Sequence, residues 1–153
     1  MDYPIGEYYC KLDAKGRLLV PSSFKEQLGE ALNEGFVLRP GLFETCLDVY
    51  GRDDWRKLQE KLGKLNPFKK ENQMMVRRIN AGAKLVTMDG SGRLQIPKDL
   101  VEKCGLVKDV VITSLPDKMQ IWSKEQMEQS NAQMTDEEFA GLLEDRLGNI
   151  DFE

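Results

Sequence analysis

The chain has 153 residues, 31% of them charged and 41% hydrophobic, the balance of a soluble globular protein that is one domain or two small halves sharing a core. It has no histidine, and its three cysteines, Cys10, Cys46 and Cys104, form no C-x-x-C pair, which argues against a disulfide framework, a structural zinc site and most enzyme chemistries. The net charge of −4 taken as an average also argues against a nucleic-acid binder.

Taken in order, no basic-then-apolar leader opens the chain, and no apolar run approaches the length of a membrane span. A cytoplasmic protein is therefore expected. Residues 8–12 read as a first strand that enters a turn at Asp13. Residues 17–20 follow as a second strand, with Leu18 and Val20 alternating against Arg17 and Leu19. Pro21 ends it and suits the first turn of a short helix. In that helix Phe24 and Leu28 share a face, and Gly29 stands where a C′ glycine belongs. Residues 35–39 and 46–50 read as a further pair of strands, separated by the Pro40-Gly41 turn signal.

Two helical stretches come next, 53–65 and 67–80, broken at Asn66-Pro67. Trp55, Leu58, Leu62 and Leu65 form an amphipathic stripe in the first. Nine basic residues, from Arg52 to Arg78, make this region positive. A solvated helix face is the favoured reading of them, and auxiliary phosphate contact is the other. Residues 84–88 begin a second series of strands, and 93–96, 110–113 and 119–122 continue it. Ser123-x-x-Gln126 and Thr135-x-x-Glu138 have the form of helix N-terminal capping boxes. After Glu125 only Arg146 is basic, so the C-terminal segment is acidic. It reads as a docked terminal helix or a partly disordered tail. Charge is uneven along the chain: 15 Lys and Arg face 12 Asp and Glu through Lys84, and 7 face 14 beyond it. An acidic tail can coexist with a local basic surface that faces DNA.

The second series repeats the first. Residues 13–21, DAKGRLLVP, return as residues 89–97, DGSGRLQIP, at an offset of 76. Both read D-x-x-G-R-L-x-[VI]-P, and Glu26/Glu102 and Gly29/Gly105 extend the match. A spacing of this length marks one duplicated module, not a solenoid. In each copy, Asp13 or Asp89 and Gly16 or Gly92 are the preferred ends of a type I turn, with the glycine in the left-handed region forming a G1 bulge. The expected unit is strand, tight hairpin, strand, short helix. An Arg beside such a turn projects a planar fork that can hold two acceptors of guanine, or a phosphate. Pairing of each Arg with its own loop Asp is the structural alternative. Tyr50, Trp55 and Trp122 are expected in the core and not against bases.

The paired motifs resemble the SpoVT-AbrB module, and two copies in a chain of this length are similar to the MraZ family of transcriptional regulators. The likeness spans about Gly6 to Arg146. It implies an α+β, β-rich fold: a duplicated double-split β-barrel in which the halves pair as two AbrB-type chains do. The implied segments are a first module at 6–52, a helical linker at 53–82, a second module at 83–125 and an acidic C-terminal helix or tail at 126–153. Double-stranded DNA at short promoter repeats of the division and cell-wall cluster is the implied partner. The implied state is a nucleoid-associated repressor that forms a ring-like homo-oligomer, with no cofactor and no metal. By position, Arg17 and Arg93 are the DNA-binding arginines, Lys15 adds charge to the first loop, and Asp13, Gly16, Asp89 and Gly92 shape the turns. The second loop departs from the first in having Ser91 in place of Lys15. An antitoxin-type module, which would also hold a toxin through a C-terminal arm, is the alternative. An enzyme is improbable on the residues present, with only scattered carboxylates to do chemistry.

Overall fold

The computed structural model describes residues 1–148, so residues 149–153 of the expected C-terminal segment lie outside the described part. The elements are β1 (Tyr8–Lys11), β2 (Arg17–Leu19), α1 (Ser22–Leu28), α2 (Ala31–Glu34), β3 (Phe36–Pro40), β4 (Leu47–Gly51), α3 (Arg52–Gly63) and α4 (Lys70–Ala81). They are followed by β5 (Lys84–Val86), β6 (Arg93–Gln95), α5 (Lys98–Lys103), β7 (Asp109–Ser114), β8 (Met119–Ser123), α6 (Lys124–Asn131) and α7 (Asp136–Leu147). The mixed α+β class agrees with expectation. The short α2 has no counterpart in the sequence reading. The second linker helix begins at Lys70, not 67: the Asn66 side chain accepts a hydrogen bond from the Phe68 N–H, a local turn that holds Pro67 outside the helix.

The expected turns form in both copies. The Gly16 N–H donates to the Asp13 carbonyl at 3.0 Å, and the Asp13 N–H to the Arg17 carbonyl at 3.0 Å. Gly16 has φ +79° and Gly92 φ +75°, as a type I turn with a G1 bulge requires. The expected hairpin ladder does not follow. Each hairpin closes with a single bridge, Leu12 to Leu18 and Met88 to Leu94, and its strands then part. β1 pairs with β7 of the other copy, β5 pairs with β3, and β2 pairs antiparallel with β6. Period-two alternation assigns a strand its faces but not its partner. Here Leu18 and Leu94 lose most water by meeting each other across the two copies.

The result is a six-stranded sheet, β1-β7-β8-β4-β3-β5, and a two-stranded ribbon, β2-β6. Equivalent residues face each other at the middle of each: Leu18 opposite Leu94 and Asp48 opposite Gln120. An approximate twofold axis therefore relates the halves. The main core lies between sheet and ribbon, and it draws Leu18, Phe24, Leu47 and Val49 from one half and Leu94, Leu100, Cys104 and Ile121 from the other. Neither half has a core of its own. The opposite face of the sheet holds Cys46, Val111 and Trp122, with Met127 of α6 against them, and Tyr50 edge-on to Trp55 of α3 at 5.3 Å. Tyr50 and Trp122 are buried, as expected.

The hydroxyl half of each expected capping box forms. The Ser123 hydroxyl accepts from the Gln126 N–H at 3.1 Å, and the Thr135 hydroxyl from the Glu138 N–H at 3.1 Å. Lys124–Asn131 and Asp136–Leu147 are helical, joined by a short turn. α3 follows β4 directly and α6 follows β8 directly, at the offset of 72 that relates the two strands. The pair α6–α7 repeats the order of α3–α4.

Candidate nucleic-acid interface

The ribbon organises the candidate site. On β2 and β6 the register sets Arg17 opposite Gln95 and Leu19 opposite Arg93. The leucines between them are buried, so alternation puts Arg17, Leu19, Arg93 and Gln95 together on the outer face. Arg17 and Arg93 are diagonal neighbours, about 8 Å apart by the spacing of such pairs. Sequence spacing alone, at 76 residues, gives no hint of this proximity.

Each arginine is set by its loop aspartate. Asp13 accepts from the backbone N–H groups of Lys15 and Arg17, both at 2.9 Å, through Oδ1, while its Oδ2 accepts from Arg17 Nε at 2.7 Å. Asp89 repeats this with the N–H groups of Ser91 and Arg93 at 2.8 and 2.9 Å, and Arg93 Nε lies 3.3 Å from its Oδ2. The hydrogen bonds from the Arg17 and Arg93 backbones are the largest cause of the lowering of these two carboxyls below the ordinary aspartate range. The Asp–Arg pair expected as the structural alternative therefore exists. It uses only the Nε edge. Among the described residues no hydrogen bond engages an Nη group of either arginine, and the side chains are 30% and 33% exposed. The guanidinium is steered by its aspartate and keeps the four N–H donors of its two Nη groups for a further partner.

Each loop lies against the helix of the other module. The first borders an open cleft of about 340 Å³ with Lys98, Val101 and Glu102 of α5. The second borders one of about 500 Å³ with Lys25 of α1 and residues 87–92. Gln95 Nε2 donates to the Lys15 carbonyl at 2.7 Å, and the Ile96 N–H to the Gly16 carbonyl at 2.8 Å. The Lys25 ammonium sits directly over Gly92. Val101 is the repeat equivalent of Lys25, and it packs beside Gly16. The second loop thus has Ser91 for Lys15 but gains Lys25 from the other half, where the first loop has Val101. The expected electrostatic deficit at Ser91 is offset in space. Lys25, Lys98, Leu19 and Gln95 escape a reading of the sequence, because only the exchange of strands between modules brings them beside the loops.

Burial holds the cysteine thiols protonated, with Cys10 and Cys104 pushed up to about 11 and Cys46 higher still. They carry no thiolate at neutral pH. Among the described residues no cluster of three or more acidic or cysteine side chains could hold a metal ion, and no helix is long and apolar enough to cross a membrane.

A family model described as "MraZ protein, putative antitoxin-like" matches residues 5–78 and again 79–150. The chain belongs to the MraZ family. Relatives in that family include the transcriptional regulator MraZ of Christiangramia forsetii, 44% identical over 149 residues, which are 97% of this chain and 96% of the relative. The transcriptional regulator MraZ of Flavobacterium psychrophilum is 39% identical over 150 residues, 98% and 95% of the two chains. That of Clostridium tetani is 39% identical over 127 residues, 83% and 86%. Each of the two MraZ matches takes in most or all of a helical pair, α3–α4 in the first and α6–α7 in the second.

Proposed function

We propose that this MraZ-family chain is a sequence-specific DNA-binding transcriptional regulator that acts as a repressor, and that its β2–β6 ribbon is the reading surface. The observation that carries this is the presence of Arg17 and Arg93 on one exposed face of a two-stranded antiparallel ribbon, each oriented by an aspartate and each with Nη donors unspent. The major groove, about 12 Å wide, admits such a ribbon, and an arginine fork matches the O6 and N7 acceptors of guanine. Between the arginines Leu19, 60% exposed, offers an apolar contact suited to a thymine methyl group. Lys15, Lys98 and Lys25 stand at the two ends of the ribbon, where phosphates flank the groove.

On this reading the fold is a double-split barrel of the SpoVT-AbrB type, with both halves supplied by one chain. The names of the relatives support the regulatory role. Two loops in one chain cover only a few base pairs, and a net charge of −4 disfavours approach to DNA. Such contacts alone give affinity near the non-specific range of about 10⁻⁴–10⁻⁶ M. A ring of chains facing evenly spaced promoter repeats raises avidity by about 10²–10⁴. The division and cell-wall gene cluster is the proposed target, with the protein cytoplasmic and nucleoid-associated. An antitoxin role, which calls for a C-terminal arm free to wrap a toxin, is the second reading, and the exposure of α7 along its length is the observation that favours it. Selection of binding sites from random DNA with the purified protein tests the proposal. Enrichment of short tandem motifs is expected. No enrichment above background refutes it.

A further inference from the structure

Two cations are buried among the described residues, Arg39 and Lys118, and only one of them has a carboxylate. Lys118 holds Asp48 at 3.3 Å. Arg39 stands directly opposite Asp48 in the β3–β4 register, yet it forms no ion pair with Asp48 or with any other described residue. The Asp48 oxygens are taken by Lys118, Gln120 and the Cys46 thiol. Arg39 turns to α4 instead. Its Nε donates to the Ile79 carbonyl at 3.0 Å, and its Nη1 donates to the Pro40 carbonyl. The first bond closes the C-terminal end of α4 and is the structural role of the residue. It does not neutralise the charge, and buried charges are ordinarily paired. Among the described residues no hydrogen bond engages Nη2, which has two N–H donors.

Arg39 lines an open cleft of about 580 Å³ where β3 enters its turn and α4 and α5 end. Small-molecule sites measure about 300–1,000 Å³. Arg78 of α4 and Lys103 of α5 line the same cleft, both of them exposed and both without an ion-pair partner among the described residues. No Asp or Glu is among the described residues that line it. Three cations thus converge from three elements. A solvated helix face explains Arg78 by itself, but neither the buried, unpaired Arg39 nor the lysine of α5 beside it. The fold does not demand the guanidinium either: in the other half Thr113 stands opposite Gln120, where Arg39 stands opposite Asp48. DNA on the ribbon does not explain it. Leu38 points into the core beneath the ribbon, so alternation puts Arg39 on the other face of the sheet.

We propose that this cleft is a binding site for the diphosphate group of a small molecule. Arg39 Nη2 donates to a phosphate oxygen, and Arg78 and Lys103 add charge from the two helices. Three positive charges spread over one cleft match a diphosphate better than a single phosphate or carboxylate. Pro40 and Leu42 leave an apolar wall for the rest of the molecule. The ligand supplies the negative charge that Arg39 lacks within the chain. Helix α5 contributes Lys103 here and Lys98, Val101 and Glu102 beside the first loop, so the cleft and the candidate DNA surface share one helix. The inference does not rest on the DNA-binding reading.

Equilibrium dialysis of the full chain against radiolabelled inorganic pyrophosphate tests it. One pyrophosphate per chain is expected. Arg78→Glu with Lys103→Glu should weaken binding by about tenfold or more, as loss of charge-assisted hydrogen bonds does. Arg39→Gln should do the same; should it misfold by circular dichroism, the exposed pair decides alone. Lys64→Glu with Lys69→Glu makes an equal change of charge in the α3–α4 connection and should bind as wild type does. So should Arg17→Ala with Arg93→Ala on the ribbon. Absence of bound pyrophosphate on the wild type overturns the proposal. Equal weakening by the two charge reversals overturns it as well, since general attraction then accounts for the binding. Loss in the ribbon variant does so too, because pyrophosphate is then only imitating the DNA backbone.

Discussion

Gly16 and Gly92 occupy the same place in the repeat, and replacement by alanine should not cost them the same. Both have left-handed backbone conformations, at φ +79° and +75°, and a Cβ in that region costs about 1–2 kcal/mol. At Gly16 the added Cβ would stand 2.8 Å from the Ile96 carbonyl oxygen and 3.2 Å from Gln95 Nε2. A backbone oxygen cannot rotate away, so the first loop must move off β6. That motion weakens the 2.8 Å bond from the Ile96 N–H to the Gly16 carbonyl, which is worth about 0.5–1.5 kcal/mol. At Gly92 the three nearest atoms all belong to the end of the Lys25 side chain, which is flexible and can swing out. Gly16→Ala should therefore destabilise by about 2–3 kcal/mol and Gly92→Ala by about 1–2 kcal/mol. At about 2–4 °C per kcal/mol for a chain of this size, the melting temperature falls by roughly 4–12 °C and 2–8 °C. Differential scanning calorimetry of the two variants side by side is the assay. Equal melting temperatures, or a lower one for Gly92→Ala, would refute the reasoning from the exchanged contacts.

Three further outcomes are expected. Lys118→Met leaves the fully buried Asp48 carboxylate, now 3.3 Å from the Lys118 ammonium, with only Gln120 at 3.0 Å and the weak Cys46 thiol contact; stranding a buried charge costs about 3–5 kcal/mol, and a chemical-denaturation midpoint unchanged from wild type would contradict it. Lys25→Ala should lower the slope of log affinity for DNA against log salt by about 1, as loss of one phosphate contact does, with an unaltered slope placing Lys25 off the duplex. The carboxyls of Asp13 and Asp89 are lowered in the folded chain, so they contribute stability that is present at neutral pH and lost as pH falls below the unfolded value of about 3.9 toward the lowered folded one; Asp13→Asn with Asp89→Asn should flatten that acid loss, and melting curves that decline between pH 5 and 3 as steeply as wild type would count against it.

Much of the local structure is legible in the sequence because its causes are local. Asp13 and Gly16 specify a turn within five residues, Gly29 and Gly105 end helices through their own positive φ, and Ser123 and Thr135 cap helices three residues away. The alternation of Arg17, Leu18 and Leu19 identifies an inside and an outside. What it cannot supply is a partner. β2 could have completed a hairpin with β1, and only the joint burial of Leu18 and Leu94 in one core decides for β6. The same exchange hides half the candidate site. Lys25 sits twelve residues past Asp13 and yet serves the loop at Asp89, and Gln95 bonds to the loop at Lys15. The Asp48–Lys118 pair is hidden for a related reason, since its members are not equivalent in the repeat: Lys118 aligns with Cys46, and Asp48 with Gln120.

The measurement that tests the central claim most directly is the affinity of Arg17→Ala with Arg93→Ala for a duplex recovered by selection, read by fluorescence anisotropy beside the melting temperature. Loss of a bidentate base contact costs about 1–3 kcal/mol at each arginine, so binding should weaken by about 30-fold or more in all. The partly exposed Asp–Arg pairs contribute about 0–1 kcal/mol each to stability, which limits the fall in melting temperature to a few degrees. Full affinity for the selected duplex in the double variant, together with a large drop in melting temperature, would contradict the account and leave the arginines as braces of their own turns.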